Sequence, residues 1–265
     1  MRCLVVSDLH YALPQLDWLL NSAPNFDLVI FAGDALDVGS LVDFSAQTLV
    51  VRKYLQRIAA ATRLIFCSGN HDMDCQSEAG EKIARWVEGV RSLGVACDGD
   101  AIVLDNTLYS VLPWWDGPVV RERLLAQLKA DSQRRQGLRW VWIHHAPPRF
   151  SPTSWSGKQS FGDADLVDWI GRYAPDAVIS GHIHQSPFVQ EGSWADRIGS
   201  TWVFNSGRQY GAPPAFIAFD TIAGEALWVS AMGAQSVRLD APLHRPIPPL
   251  RALPDWFEPQ PPMAG

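Results

Sequence analysis

Apolar runs of strand length that end, one after another, on a side chain able to bind metal are what most narrows the folds open to this chain. "CLVVSD" ends at Asp8, "LVIFAGD" at Asp34, "RLIFCSGN" at Asn70, "WVWIHH" at His144 and His145, and "AVISGH" at His182. Helix-length segments, roughly 14–22, 41–61 and 79–93, follow the first three runs. Alternating strand and helix predicts an α/β fold, and open α/β sheets gather ligands at the carboxyl ends of their strands. Further on, "AIVLD" and "TLYSVLP" read as strands and 119–136 as a polar helix; "TWVFNS", "AFIAFD" and "ALWVS" read as antiparallel strands. The expected architecture is therefore mixed sheets with helices outside.

The spacing inside these ends is informative. Asp8 and His10 stand two apart, as do His182 and His184, which in an extended backbone puts both members of a pair on one side. Alone, each fragment reads equally well as a turn or a structural histidine. Together they do not, because His10, His71, His144, His145, His182 and His184 all fall at strand ends, and only His244 lies elsewhere. Carboxylate, amide and imidazole without thiolate suit Mn, Fe or Zn in a working site more than a structural zinc knot.

With 47% hydrophobic residues, the 265-residue chain can bury a sizeable core. We read 1–240 as one domain and 241–265 as a proline-rich arm whose Leu250, Trp256 and Phe257 call for a surface to pack on. A net charge of -6 and the lack of a Lys/Arg run argue against an extended nucleic acid partner. The cationic residues of 119–136 read as a solvated face. Cys3, Cys67, Cys75 and Cys97 form no CxxC pair, so free thiols in a reducing compartment are expected. "MRCLVVSDLH" lacks a signal peptide's long apolar core, and no apolar span reaches membrane length. A cytoplasmic location without membrane attachment is the expectation. Oligomeric state is left open.

"DLH" at 8–10, "GDALD" at 33–37, "GNHD" at 69–72, "HH" at 144–145 and "GHIH" at 181–184 resemble, in order, the motif blocks of the calcineurin-like metallophosphoesterases. The blocks span about residues 1–185. The resemblance implies a two-sheet β-sandwich flanked by helices, a four-layer αββα arrangement, around two divalent metal ions (Mn, Fe or Zn). It also implies that Asp8, His10 and His184 hold one metal together with a bridging Asp34, that Asn70, His144 and His182 hold the other, and that His71 lies just outside them as the catalytic residue. Within the doubled histidine we assign His144, which directly ends its strand run, in preference to His145. The protein phosphatase branch of the family usually carries an arginine after the second aspartate of its GDxxD block and GNHE further on; here Val38 and Asp72 stand there.

The expected function is hydrolysis of phosphate esters, favouring a small-molecule or nucleotide phosphodiester. Phosphomonoesterase or nuclease activity is the alternative, and a non-catalytic scaffold of the same fold is the rival from another class. Paired divalent ions of this kind acidify water and neutralise phosphoryl oxygens. His71 is expected to protonate the leaving oxygen or stabilise developing charge, with Asp72 or Asp37 orienting it; Asp72 reads equally well as a turn residue. The loops "VLPWWDGP" (111–118) and "RFSPTSWSG" (149–157) leave the ligand-bearing edge, so Trp114, Trp115 and Trp155 are candidates to line a substrate pocket.

Overall fold

The computed structural model describes residues 1–257, and residues 258–265 of the expected arm lie outside the described residues. The first three runs become β1 (Arg2–Val6), β2 (Leu28–Ala32) and β3 (Arg63–Cys67), parallel neighbours joined through α1 (Leu13–Ser22) and α2 (Phe44–Ala61). A two-residue hairpin follows, β4 (Cys75–Gln76) and β5 (Lys82–Ile83), then a single helical turn α3 (Arg85–Glu88) and β6 (Ala96–Cys97) on the β3 edge. The chain then forms β7 (Ala101–Leu104), β8 (Thr107–Val111), α4 (Pro118–Arg134), β9 (Arg139–Ile143), α5 (Ala164–Tyr173) and β10 (Ala177–Ser180). Last come β11 (Ala195–Ile198), β12 (Thr201–Asn205), β13 (Phe216–Asp220), β14 (Glu225–Ser230) and β15 (Gly233–Arg238).

Two sheets result. The seven-stranded one runs β15-β14-β13-β1-β2-β3-β6 and the six-stranded one β11-β12-β10-β9-β8-β7. The inner faces meet in one apolar core: Cys3, Val5, Ile30 and Ile65 from the first sheet pack against Tyr109, Ile143, Ile179 and Phe204 from the second. The alternate residues Leu4, Val6, Phe31 and Phe66 face α1 and α2, and Leu108, Trp140, Trp142 and Val178 face α4 and α5. Helix, sheet, sheet and helix are thus stacked in four layers, which is why the central strands read as unbroken apolar runs: both faces are buried.

The helix expected at 79–93 is the main departure. It shrinks to α3 plus a 3-10 turn, Gly89–Leu93, which ends at Gly94 with φ 82°. Glu81 is used elsewhere: its carboxylate accepts from the N–H groups of Val119 (2.6 Å) and Val120 (2.9 Å), capping α4, whose N-cap Gly117 has no side chain to do so. Of the last strands, β13, β14 and β15 are antiparallel as expected, whereas β12 runs parallel to β10. The arm packs as far as it is described: Leu250, Leu253, Trp256 and Phe257 lie on the first sheet's outer core, and Trp256 Nε1 donates to Glu225 (2.7 Å). All four cysteines are free, with Cys3, Cys67 and Cys97 buried. Among the described residues no helix is long and apolar enough to cross a membrane.

Candidate metal centre

The carboxyl ends of β1, β2, β3, β9 and β10 bring their polar residues to one place between the sheets. Asp8, His10, Asp34 and His184 form a group whose ligand atoms all lie within 4.8 Å of one another, and Asp34, His145 and His182 form a second. Asp34 belongs to both. His184 Nε2 lies 3.2 Å from Asp8 Oδ1 and 3.1 Å from His10 Nε2; His145 Nε2 lies 3.1 Å from Asp34 Oδ2. All of these residues are buried except His182 and His184, which are half-buried.

The glycines of "GD", "GN" and "GH" explain how such crowding is possible. A Cβ on Gly33 would strike the His145 ring, one on Gly69 would strike Asp34, and one on Gly181 would strike the Asp8 carboxylate and Ser7. Each glycine precedes one polar residue and makes room for another from a different strand. The crowding also constrains the backbone: Asp8 (φ 57°), His10 (φ 44°), Asp34 (φ 56°) and His182 (φ 68°) all sit in the left-handed region. Non-glycine residues seldom adopt it, and such outliers gather at functional sites.

Asp72 holds this geometry. Its two oxygens accept from the N–H groups of Asp34 (2.8 Å), Gly69 (2.8 Å), Ala35 (3.1 Å) and Leu36 (3.0 Å), so it ties the loop after β3 to the loop after β2. It does not orient His71. Burial and the neighbouring Asp34 push its carboxyl above the usual carboxylate range, against the pull of the Gly69 and Leu36 N–H groups. Asn205 plays the matching part in the other sheet. Its amide donates to the carbonyls of Thr153 (2.9 Å) and Ile183 (3.1 Å) and fixes the loop that carries His182 and His184. Neither role is written in a local motif, since apart from Gly69 these partners are far away in the chain.

Of the doubled histidine, it is His145 that the structure turns into the cluster; His144 lies outside it, with Nε2 3.7 Å from Asp163. The period of two along β9 accounts for this reversal of our assignment. Val141 and Ile143 face the other sheet, so His145 does too, while Trp142 and His144 face the helices. His145 Nδ1 lies 2.7 Å from the carbonyl of Ala32, which as hydrogen-bond acceptor directs Nε2 into the site.

His71 stands at the rim. Its ring meets that of His10 edge to face at 4.4 Å, and its Nδ1 accepts from Val38 N–H (3.4 Å), 3.9 Å from Asp37. A ring that accepts at Nδ1 carries its proton on Nε2. Burial lowers the His71 pKa, with Asp34 pulling the other way, so the ring is neutral near pH 7. Within the cluster, burial alone would raise the Asp8 carboxyl, but His145, His10 and His184 hold it well below the usual carboxylate range. Burial would likewise lower His145, yet Asp34 and Asp8 push it up to about 10; burial, with His145 beside it, takes His182 down to about 4. These carboxylates demand a nearby cation.

The donor set fits metal ions. His10 Nδ1 and Asn70 Oδ1 are buried polar atoms without a hydrogen-bond partner, each a cost of about 1–3 kcal/mol if it stayed so. Oxygen and imidazole donors without thiolate suit hard-to-borderline divalent ions. Trp114 and Trp115 line a pocket beside the cluster, while Trp155 stands apart, its Nε1 donating to the Gln190 carbonyl (3.1 Å).

A family model described as calcineurin-like phosphoesterase matches residues 1–186. No curated protein sequence matches significantly. Among solved structures, the protein TT1561 of Thermus thermophilus is similar over 90% of this chain and 98% of its own, at 15% identity and TM-score 0.54. The purple acid phosphatase PPD1 from yellow lupin (Lupinus luteus) seeds is similar over 92% of this chain and 52% of its own, at 14% identity and TM-score 0.54. These likenesses speak for the fold, and the family match covers well over half the chain and every strand end that builds the cluster. The chain belongs to the calcineurin-like phosphoesterases.

Proposed function

We propose that this phosphoesterase works with two divalent metal ions and favours a small-molecule or nucleotide phosphodiester. The observation that carries the reading is the pair of ligand groups sharing Asp34, assembled from both sheets. Asp8, His10, Asp34 and His184 would hold one ion, and Asp34, Asn70, His145 and His182 the other. Bound there, the ions would supply acidified water and neutralise phosphoryl oxygens.

The protein's own groups do the rest. Asp34 would be the shared ligand, because a carboxylate has two oxygens, and Asn70 would add a neutral oxygen where a further carboxylate would cancel too much of the positive charge. Asp72 and Asn205 keep the loops from relaxing. His71 offers Nε2–H at the rim, where it can donate to the leaving oxygen or to a phosphoryl oxygen as charge develops. The diester preference is supported by Val38, 63% exposed, at the place where the phosphatase branch carries an arginine. A dianionic monoester would miss that guanidinium more than a singly charged diester.

Reconstitution with Mn, Fe or Zn, elemental analysis, and a matched pair of mono- and diester substrates test this. Two ions per chain and faster diester turnover are expected. Fewer than one ion per chain, with no turnover of either ester, would leave the scaffold reading standing.

A further inference from the structure

Beside the cluster, on the helix side of the second sheet, lies a pocket of about 230 Å³ walled by Trp114, Trp115 and Phe161 and floored by His144 and Asp163, with His182 at its inner end. His182 also belongs to the second ligand group, so pocket and cluster share a wall. The Trp114 ring packs on His182 at 5.0 Å between centroids and lies 5.8 Å from that of His145.

The pocket is built rather than incidental. Trp115 Nε1 donates to Asp163 Oδ2 (2.9 Å), and Asp163 Oδ1 accepts from Leu166 N–H (3.2 Å) as the N-cap of α5. Its loop is pinned by Asp163 N–H to Pro147 O (2.8 Å) and Arg149 N–H to Asp163 O (2.9 Å), and a Cβ on Gly162 would collide with the Arg149 backbone. Two features of this rigid frame remain unused. Phe161 stands at the mouth with 52% of its surface exposed. The His144 side chain is 1% exposed, yet both ring nitrogens lack a hydrogen-bond partner, and Asp163 at 3.7 Å is beyond one. Buried polar atoms are normally satisfied.

We propose that this pocket receives the nucleobase of a nucleotide phosphodiester, its face against Trp114 and Phe161 and its polar edge at His144, while the phosphate lies over the cluster; this rests on the phosphoesterase reading above. The dimensions and chemistry single out that group. The volume falls below the usual 300–1,000 Å³ of pockets for whole drug-sized ligands, so it suits one ring system and not an entire nucleotide. An acyl chain would leave His144 unsatisfied. A sugar presents hydroxyls in several directions and needs more polar partners than one imidazole and one shared carboxylate. A base has a π-face that stacks on any aromatic ring and an edge that carries donors and acceptors together. The two ring nitrogens of His144 can meet such an edge.

The test compares the methyl ester of a nucleoside monophosphate with ethyl methyl phosphate, hydrolysis by the metal-loaded protein being followed by phosphorus NMR. Tryptophan fluorescence is recorded during titration with the nucleoside ester. Expected are a preference in kcat/KM for the nucleoside ester that falls roughly 5- to 150-fold in Phe161→Ala and in Trp114→Ala, and a fluorescence change that Trp114→Phe diminishes. His144→Leu should lose the preference and His144→Gln should keep part of it. Equal hydrolysis of the two esters by the unaltered protein would overturn the pocket assignment and leave the phosphoesterase standing. Hydrolysis of neither would refute the phosphoesterase reading, and the titration then decides the pocket alone: saturable quenching supports it, and none overturns it.

Discussion

The two sheets contribute unlike chemistry to the same cluster. The seven-stranded sheet brings the carboxylates Asp8 and Asp34 with one imidazole, His10, and the unpartnered Oδ1 of Asn70; the six-stranded sheet brings only imidazoles, His145, His182 and His184. Their fastenings differ in sign as well. Asp72 holds the first sheet's loops by accepting backbone N–H groups, whereas Asn205 holds the second sheet's loop by donating to carbonyls. The first sheet therefore supplies the carboxylates and the second only imidazoles. A bound cation would join the two as much as it would serve catalysis.

The most severe way to break this asymmetry is to remove the shared charge. Asp34→Asn should lower turnover on a simple diester by on the order of a thousandfold or more, because a shared metal ligand supports several kcal/mol of charge stabilisation, and both ions should be lost. His145→Ala, in the second sheet, should lose one ion and keep the other. His144→Ala should keep both. Elemental analysis of the three proteins decides, and equal metal loss in the two histidine variants would undo the register argued for β9.

His71 sharpens the comparison because it belongs to the first sheet's loop and groups with His10 and Asp37 at the rim, outside the two groups that share Asp34. His71→Ala should slow turnover of a diester with a poor leaving group by at least about a hundredfold, the low end for a positioned proton donor, with metal content unchanged. Loss of an ion in that variant would move His71 into the ligand set.

What was legible in the sequence follows the same division between local and distant causes. The strands could be read because both faces of each central strand are buried, and their polar ends could be read because the glycines and ligands are neighbours in the chain. His145 was readable too: extending the alternation of Val141 and Ile143 by one step selects it over His144. The missing helix at 79–93 was not, since Glu81 serves a helix that begins at Pro118. Nor was the role of Asp72, whose partners Asp34, Ala35 and Leu36 lie more than thirty residues away. A motif shows that a carboxylate is present, and the tertiary fold decides whether it faces a ligand or a backbone.

If a cation joins the sheets, saturating metal should raise stability by about 2.7 kcal/mol at a hundredfold excess over Kd. For a protein of this size that is a melting shift of roughly 5 to 11 °C, reversed by a chelator. The same measurement on Asp34→Asn should show little shift. A melting temperature indifferent to metal would mean that the sheets hold together without help from the cluster.

The smallest expected effects probe the two fastenings themselves. In Asp72→Asn the shape is kept, but an NH₂ group must replace one oxygen, and each oxygen faces two N–H groups: Ala35 and Leu36 on one, Asp34 and Gly69 on the other. Either rotamer turns donors on donors. Asn205→Asp is the mirror image, since the amide nitrogen faces the carbonyls of Thr153 and Ile183, and a carboxylate there turns acceptors on acceptors. Leaving buried partners unsatisfied costs about 1–3 kcal/mol, so each variant should melt lower by a few degrees to about 10 °C. Because the two fastenings use opposite polarity, Asp72→Asn and Asn205→Asp are not interchangeable repairs, and the doubly substituted protein should lose the sum of both effects. Measured melting curves for the two single variants and the double variant decide this. A double variant more stable than either single one would show that the two loops are fastened to each other rather than each to its own sheet.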